Sequence, residues 1–355
     1  FGSHFKLLSE VIGGNDESLA AGAGDFLERT ASVYASNLYD RSLRHLSPAH
    51  ARAPVYADSL YLTRLAHFDR VFPASDLRAT YEAAMEGFGI RVERQGNVRV
   101  ETAANASGKT RAACFALNPP YDVRIVFQPR DGASFYRAFF ETGGRAQHFA
   151  WVSRDLATRY PELVHAPDDA TRAGFAFLFG DLVADEAWLV AHRNVKPSQA
   201  REIAHALALV ESHRTRFACA RLRHLHALDE ATDARSEQLA EAYANAVEEA
   251  TGFRHHPALH LRDTVSDDLR EAGESRELSP AVHLRARLFA AALGEHLRTR
   301  YGARWWATRK AADELIDMWN TGSRYTIEEL ASLVGAGRLS FELLADSTQA
   351  ALGGE

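Results

Sequence analysis

Three side chains capable of acid–base or ion-binding chemistry lie close together in residues 135–151, FYRAFFETGGRAQHFAW. Glu141, Arg145 and His148 are spaced four and three residues apart, which places them on one face of a helix. Gly143 and Gly144 interrupt that helix, and each costs about 1 kcal/mol relative to alanine. Two glycines in mid-helix indicate that a neighbouring element packs very close to the backbone here.

Zinc peptidases use spacing of this kind to hold their metal ion on one helix. Two imidazoles one helical turn apart bind the same zinc, and a glutamate beside the first takes a proton from the metal-bound water. In the thimet-oligopeptidase and oligopeptidase F family the helix reads Phe-His-Glu-x-Gly-His-Ala-x-His-Phe, and residues 140–149, FETGGRAQHF, resemble it. The resemblance implies a zincin-like fold and marks where the catalytic groups would stand.

Different residues stand at the chemical positions of that helix. When the Gly-x-Ala-x-His part of the pattern is aligned on residues 144–148, Glu141 falls at the first histidine, Thr142 at the general base and Arg145 at the second histidine. A shift of one residue would put Glu141 at the base position, but the match at 144–148 is then lost. Arg145 cannot ligate a metal, because a guanidinium has no lone pair to give.

Segments on both sides of the helix resemble the same family in the same order. Upstream, residues 109–115 (KTRAACF) and 120–124 (PYDVR) resemble two of its strands. Downstream, residues 173–178 (AGFAFL) resemble the segment that supplies the third zinc ligand, and Ala173 stands where that glutamate belongs. In residues 279–287, SPAVHLRAR, His283 stands at one of the family's tyrosines, and Leu278, just before this segment, stands near the other.

The resemblance extends over residues 60–335 or so, and the departures from it fall on the zinc ligands, the general base and the tyrosines. We therefore predict no zinc, no other cofactor and no zinc-dependent hydrolysis. Glu141 and Arg145 have the order and spacing of a helical ion pair, which we predict to fill the former zinc volume. The alternative is a solvated pair worth at most about 0.5 kcal/mol, but aromatic neighbours such as Phe140 indicate a mostly buried helix.

Five residues are candidates for contact with a ligand in the former cleft. His148 matches a family histidine that is not a ligand, and we expect a partly buried, hydrogen-bonded side chain there. An alternative is a rewired metal site that combines Glu141 and His148 with a distant histidine, either His283 or His165. The five candidates are Arg145, His148, His283, Arg285 and Tyr325.

The rest of the chain is helical by its apolar spacing, except for one short β region. Strands are predicted at 98–100, 111–117 and 122–128, with a turn at Asn118-Pro119-Pro120 between the last two. The predicted fold class is mainly α with a small β-sheet, and the resemblance adds two helical lobes around a cleft. Glycines from Gly13 to Gly24 predict a flexible loop, and residues 56–72 and 75–88 predict two helices.

The resemblance also predicts how the chain is divided. Residues 1–55 are expected to form a helical segment that corresponds to the remnant of a larger lobe, and residues 56–355 a metallopeptidase-like catalytic domain. Within that domain we expect the small sheet at about 96–130, the former zinc helix at about 132–152 and C-terminal helices at about 168–351.

Composition excludes several classes of protein. The net charge of -6 argues against a nucleic-acid binder, which would have a basic surface. No apolar run approaches the roughly 18 residues of a membrane span. Two isolated cysteines, Cys114 and Cys219, do not form a disulfide framework and favour a reducing, cytoplasmic location.

Three functions fit these observations. The first is a pseudoenzyme that binds a peptide in the old cleft, with the peptide paired to the edge strand at 111–117. The second is a subunit of a hetero-oligomer with an active or complementary chain. The third is an enzyme with new, zinc-free chemistry, in which Arg145 and Arg285 bind an anion and Glu141 or His148 transfers a proton.

Overall fold

The computed structural model describes residues 16–103, 112–165, 169–264 and 279–353. The described chain is mostly helical with one small sheet, which confirms the predicted fold class. Lys109 and Arg111 of the KTRAACF segment, and Leu278, lie outside the described residues.

The helices are numbered in chain order. They are α1 (Asp16–His45), α2 (Pro48–Arg52), α3 (Tyr56–Arg64), α4 (Leu77–Gly87), α5 (Ala133–Ala150), α6 (Arg154–Arg159), α7 (Ala170–Leu182), α8 (Glu186–Arg193), α9 (Pro197–Glu230), α10 (Glu237–Thr251), α11 (His260–Thr264), α12 (Pro280–Tyr301), α13 (Arg309–Asn320), α14 (Ile327–Leu333) and α15 (Phe341–Leu352). Short 3₁₀ turns lie at Ala66–Val71, Ala74–Asp76, Val92–Arg94, Pro161–Val164, Pro257–Leu259 and Trp305–Ala307.

The sheet has three strands, β1 (Val98–Thr102), β2 (Ala112–Asn118) and β3 (Asp122–Phe127). Their order is β1-β3-β2, with β1 parallel and β2 antiparallel to the central β3. Among the described strands β2 therefore pairs on one side only, as the sequence predicted for an edge strand. The strand positions agree with the predicted sheet at about 96–130.

One face of the sheet packs on α5. Val123, Ile125 and Phe127 are buried at alternate positions of β3, and the Phe127 ring lies 4.6 Å from that of Phe139 on α5. Helix α5 occupies the position predicted for the former zinc helix. It starts after Gly132, whose φ of 114° suits glycine.

The two glycines of α5 are sites of close packing, as their cost in a helix indicated. A Cβ on Gly144 would lie 2.8 Å from the Phe175 carbonyl oxygen of α7, and a Cβ on Gly143 would lie 2.4 Å from the Tyr81 ring of α4. Helices α5 and α7 thus approach each other almost backbone to backbone.

Contacts divide the chain into two compact units, neither of which is continuous in sequence. Among the described residues, one unit holds 16–64, 205–264, 279–284 and 340–353. The other holds 65–165 without the 104–111 segment, 169–204 and 285–339, and it contains the sheet, α5 and α7. The division at residue 55 came from the resemblance and remains a prediction.

Two local predictions are wrong. The predicted loop at 13–24 is helical from Asp16 onward, because Gly22 lies against the Phe341 ring of α15, where a Cβ would be 2.4 Å from the ring. The predicted helix at 56–72 ends at Arg64, since Leu65 adopts a left-handed conformation with φ of 56° and a 3₁₀ turn follows. None of the described helices combines the length and the apolarity needed to cross a membrane.

The glycine contact predicts that Gly144→Ala lowers the free energy of unfolding by about 1–2 kcal/mol. The added methyl group overpacks the interface with α7, and this cost exceeds the gain in helix propensity. Gly294→Ala in α12 is the matched control, because its Cβ would meet nothing closer than 3.6 Å. We expect that variant to be neutral or more stable by up to about 1 kcal/mol. Urea unfolding followed by circular dichroism measures both, and equal changes in the two variants would contradict the packing argument.

Candidate functional site

Helix α5 presents a line of polar side chains in the unit that contains the sheet. Arg137, Glu141, Arg145 and His148 follow one another at helical spacing on α5. Helix α7 packs alongside and brings Arg172, Ala173 and Asp181 into the same region. This region is the candidate site.

Glu141 forms its ion pair with Arg137, not with Arg145. The Arg137 Nε donates to Glu141 Oε1 at 2.9 Å, one helical turn towards the N-terminus. The predicted Glu141–Arg145 pair is therefore wrong. Arg137 is the partner of Glu141 because a second guanidinium nitrogen of Arg137 also lies 3.2 Å from Asp181 Oδ1 on α7. One cation thus pairs with two carboxylates.

Asp181 links three helices. It accepts hydrogen bonds from Arg137 of α5 and from both Nη atoms of Arg287 of α12. The side chains of Arg137 and Arg287 are only 4% and 3% exposed, whereas that of Asp181 is 39% exposed. Two arginines and the carboxylates of Glu141 and Asp181 thus form a charge-balanced network at one end of the site.

Thr142 and Ala173 serve the packing of the two helices. Thr142, which the resemblance aligns with the general base, is buried, and its hydroxyl donates to the Ala138 carbonyl oxygen of its own helix at 2.8 Å. Ala173, which the resemblance aligns with the third zinc ligand, is completely buried. Both side chains are therefore parts of the core.

Arg145 stands apart from the network. It is half-buried, and no hydrogen bond or ion pair joins its guanidinium to any of the described residues. Its charge acts on Cys114 of β2. Burial raises the pKa of that thiol to about 11, and the positive charges of Arg145 and Arg172 oppose the rise. Arg145 and Arg172 therefore lie within electrostatic reach of the edge strand.

His148 is hydrogen-bonded, as expected, but it is more deeply buried than the expected partly buried side chain, and its Nε2 lies 3.0 Å from the Gly322 carbonyl oxygen. Burial lowers its pKa to about 4, the hydrogen bond to Gly322 works in the opposite direction, and the charge of Arg172 adds to the lowering. Because the ring is neutral, Nε2 carries the proton and donates it to Gly322. The unprotonated Nδ1 is buried without a hydrogen-bond partner.

The other ligand candidates are distributed over both units. Arg285 is buried and donates two hydrogen bonds of 2.8 Å to the Glu328 carboxylate of α14, which makes it a clamp between helices. Tyr325 is half-buried, and the Arg324 guanidinium lies over its ring at 5.6 Å. His283 belongs to the other compact unit.

The alternative of a rewired metal site is not formed. Within residues 16–103, 112–165, 169–264 and 279–353, no three or more histidine, cysteine, aspartate or glutamate side chains come together in a way that could hold a metal ion. Glu141, His148, His165 and His283 all belong to these residues. Glu141 is engaged by Arg137 and His148 by Gly322, as described above.

Sequence reasoning missed Arg137, Asp181 and Arg287. Arg137 precedes Glu141 by four residues, so the same spacing rule that suggested Arg145 applied equally to it. Asp181 and Arg287 gave no local signal, because their contacts join helices 44 and 106 residues apart in sequence. Only tertiary packing brings them to the site.

No protein-family model matches the chain, and no curated protein sequence matches it. Solved structures do match. Metallocarboxypeptidase 1 of Trypanosoma cruzi is 14% identical with a TM-score of 0.56, and the match covers 80% of this chain and 61% of that one. An M32 carboxypeptidase from Deinococcus radiodurans R1 is 16% identical with a TM-score of 0.56, covering 94% and 67%.

The carboxypeptidase of Pyrococcus furiosus, in a structure described as apo-Mg, is 12% identical with a TM-score of 0.52, covering 78% of this chain and 58% of that chain. The chain thus spans about three fifths of the length of the Trypanosoma and Pyrococcus proteins. At these identities the likeness is one of fold: the chain has a metallopeptidase-like fold, similar to that of the M32 carboxypeptidases.

The charge network predicts that Asp181→Ala lowers the free energy of unfolding by about 2 kcal/mol. Two buried guanidiniums then lose their shared acceptor, a loss that partial exposure of Asp181 moderates. Asp155→Ala is the control, since its ion pair with Arg159 is 69% exposed on both sides, and we expect a loss of at most about 0.5 kcal/mol. Urea unfolding measures the free energy of unfolding of both variants. Similar decreases in the two would show that the network adds no more stability than a surface pair.

The buried state of His148 predicts a pH dependence of stability. The unfolded chain binds a proton at this residue near pH 6.5, while the folded chain binds it only near pH 4, so stability falls as the pH drops through this window. The expected contribution is about 2 kcal/mol between pH 7.5 and pH 5. His148→Gln should flatten the pH profile of unfolding by that amount. An unchanged slope in this variant would mean that His148 titrates alike in both states.

Proposed function

We propose that the chain is a peptide-binding pseudoenzyme, a degenerate relative of zinc peptidases of the thimet-oligopeptidase and oligopeptidase F type. One feature carries the proposal: Arg145, a permanent cation on helix α5 of a metallopeptidase-like fold, is the residue that the family resemblance aligns with a zinc-binding histidine. A guanidinium repels a metal cation and offers no lone pair. Glu141 and Thr142 support the same proposal, because each is engaged in contacts that serve the packing of the helix.

The edge strand β2 supports the choice of a peptide as ligand. An extended peptide adds to an open sheet edge through main-chain hydrogen bonds. Two large apolar side chains of β2, Phe115 and Leu117, are 42% and 58% exposed. Phe115 lies in the regularly paired part of β2 and Leu117 lies at the register shift between Ala116 and Asn118, and both would pack against side chains of an added strand.

New chemistry in the same site is less well supported. A general acid or base works best with a pKa near the working pH, and that of His148 is about 4. Glu141 is held by Arg137. Two free thiols, Cys114 and Cys219, support a reducing, cytoplasmic location as part of the same proposal.

Strand addition predicts a pattern that a synthetic peptide can test. Decapeptide pools of random sequence, labelled with fluorescein, are N-methylated at alternate positions or at every position. A strand pairs through every second backbone N–H, so a peptide methylated at alternate positions can bind in the register that turns its free N–H groups to β2, whereas methylation at every position lowers the affinity by about ten-fold or more. Fluorescence anisotropy measures the Kd of each pool, with the unmethylated pool as control.

The same experiment tests the absence of hydrolysis. After prolonged incubation with equimolar zinc, mass spectrometry is expected to find the unmethylated pool intact. Cleavage that depends on added zinc would refute the pseudoenzyme. Equal affinities of the alternately methylated and the fully methylated pools would refute strand addition at β2, and absence of binding to any pool would refute the peptide ligand.

A further inference from the structure

Arg145 differs from the other arginines of the site because no described carboxylate neutralises its charge. Arg137 and Arg287 share Asp181, Arg285 is clamped by Glu328, and Arg172 is bound by Asp169. Arg145 is half-buried, yet no described residue supplies it with an acceptor. A guanidinium that is partly withdrawn from water favours an anionic partner.

The sheet register shows which side of the edge strand faces this charge. Cys114 of β2 is paired with Ile125 of β3, which is completely buried on the face that packs on α5. Directly opposed residues of antiparallel strands share a face, so Cys114 points to the α5 side and Phe115 to the outer side. Helix α5 packs directly against β2 and α7 packs on α5, so Arg145 and Arg172 act on the α5 side of β2, where their charges reach the Cys114 thiol.

A strand added to β2 would inherit this asymmetry. Its side chains alternate between the two faces, so every second one would lie on the α5 side near Arg145, and the others would lie on the outer side beside Phe115. Acidic residues suit the first set and apolar residues suit the second.

We propose that the site selects extended peptides in which acidic and apolar residues alternate, with Arg145 as the anchor of a peptide carboxylate and Arg172 as its supporting charge. This inference rests on the proposed peptide-binding function and specifies its ligand. A carboxylate fits better than a doubly charged phosphate, since Asp169 neutralises one of the two guanidiniums and leaves a single positive charge. The planar fork of a guanidinium also matches a carboxylate in geometry.

The overall charge of the protein makes the test specific. The chain has a net charge of -6, which opposes acidic peptides at long range. A preference for acidic peptides must therefore come from a local cation.

Four fluorescein-labelled decapeptide pools provide the probes. Two have glutamate at every second position and two have glutamine there, with random apolar or small residues between, and each pair is made with a free and with an amidated C-terminus. We expect the amidated glutamate pool to bind about ten-fold more tightly than the amidated glutamine pool by anisotropy, as a charge-assisted hydrogen bond would give. If only the free C-terminus raises the affinity, Arg145 binds the terminal carboxylate of the peptide. That result would support a carboxylate as the ligand of Arg145 and overturn the preference for alternating acidic residues.

Variants of the protein assign the preference to its residue. Arg145→Gln should reduce the preference for carboxylate to less than about two-fold, and Arg145→Lys should retain part of it, because lysine keeps the charge without the fork. Arg99→Gln is the matched control: it removes an exposed arginine from β1, the other edge of the sheet, and should leave the preference intact. Circular dichroism checks the fold of each variant, and the lysine variant keeps the test informative if the glutamine variant is unstable.

The outcomes separate this inference from the proposed function. Binding of all four pools with equal affinity would overturn the carboxylate anchor and leave peptide binding standing. A preference that survives in Arg145→Gln, or that disappears equally in Arg99→Gln, would overturn the role of Arg145. If no pool binds the wild-type protein, both proposals fail together.

Discussion

The close approach of α5 and α7 is the constraint on which the candidate site depends. Gly144 presents no side chain to the Phe175 carbonyl oxygen, and Gly180 of α7 leaves room for Glu141, whose Cγ would lie 2.6 Å from a Cβ at that position. Small residues on both helices thus set the distance between them. That distance brings Asp181 of α7 within reach of Arg137, so the charge network is a consequence of backbone packing.

Helix α5 is also positioned by contacts that do not depend on most of its charged side chains. The residues that fix α5 are its glycines and its ring contacts, such as those of Phe139 and Phe140 with Tyr81. In the polar line from Arg137 to His148, His148 adds ring contacts with Phe149 and with Phe175 of α7, and Arg137 joins α5 to Asp181 of α7. Charged residues are therefore compatible with this packed helix where each buried charge finds an opposite charge.

The features that depend on local sequence pattern were predicted correctly. Alternating apolar residues in β3 and the glycines of α5 predicted the sheet, the buried helix and a close neighbour, and all three are present. Where the outcome depended on residues distant in sequence, prediction failed. Gly22 was predicted to lie in a loop because Phe341, which packs on it, is far away in the sequence. Glu141 was predicted to pair with Arg145 because the sequence gives no sign that Asp181 also binds Arg137.

The contrast among the arginines is the strongest argument that the site still has a ligand. Arg137, Arg172, Arg285 and Arg287 each reach a carboxylate of the protein, and the two most buried share one carboxylate across three helices. Arg145 lies on the same helix as Arg137, and its charge reaches Cys114 of β2, which is an edge strand among the described strands. A fold that supplies acceptors to its other site arginines has the means to neutralise this one as well. The absence of such an acceptor among the described residues is what a site for an external anion requires, since an internal carboxylate would compete with the ligand for the same guanidinium.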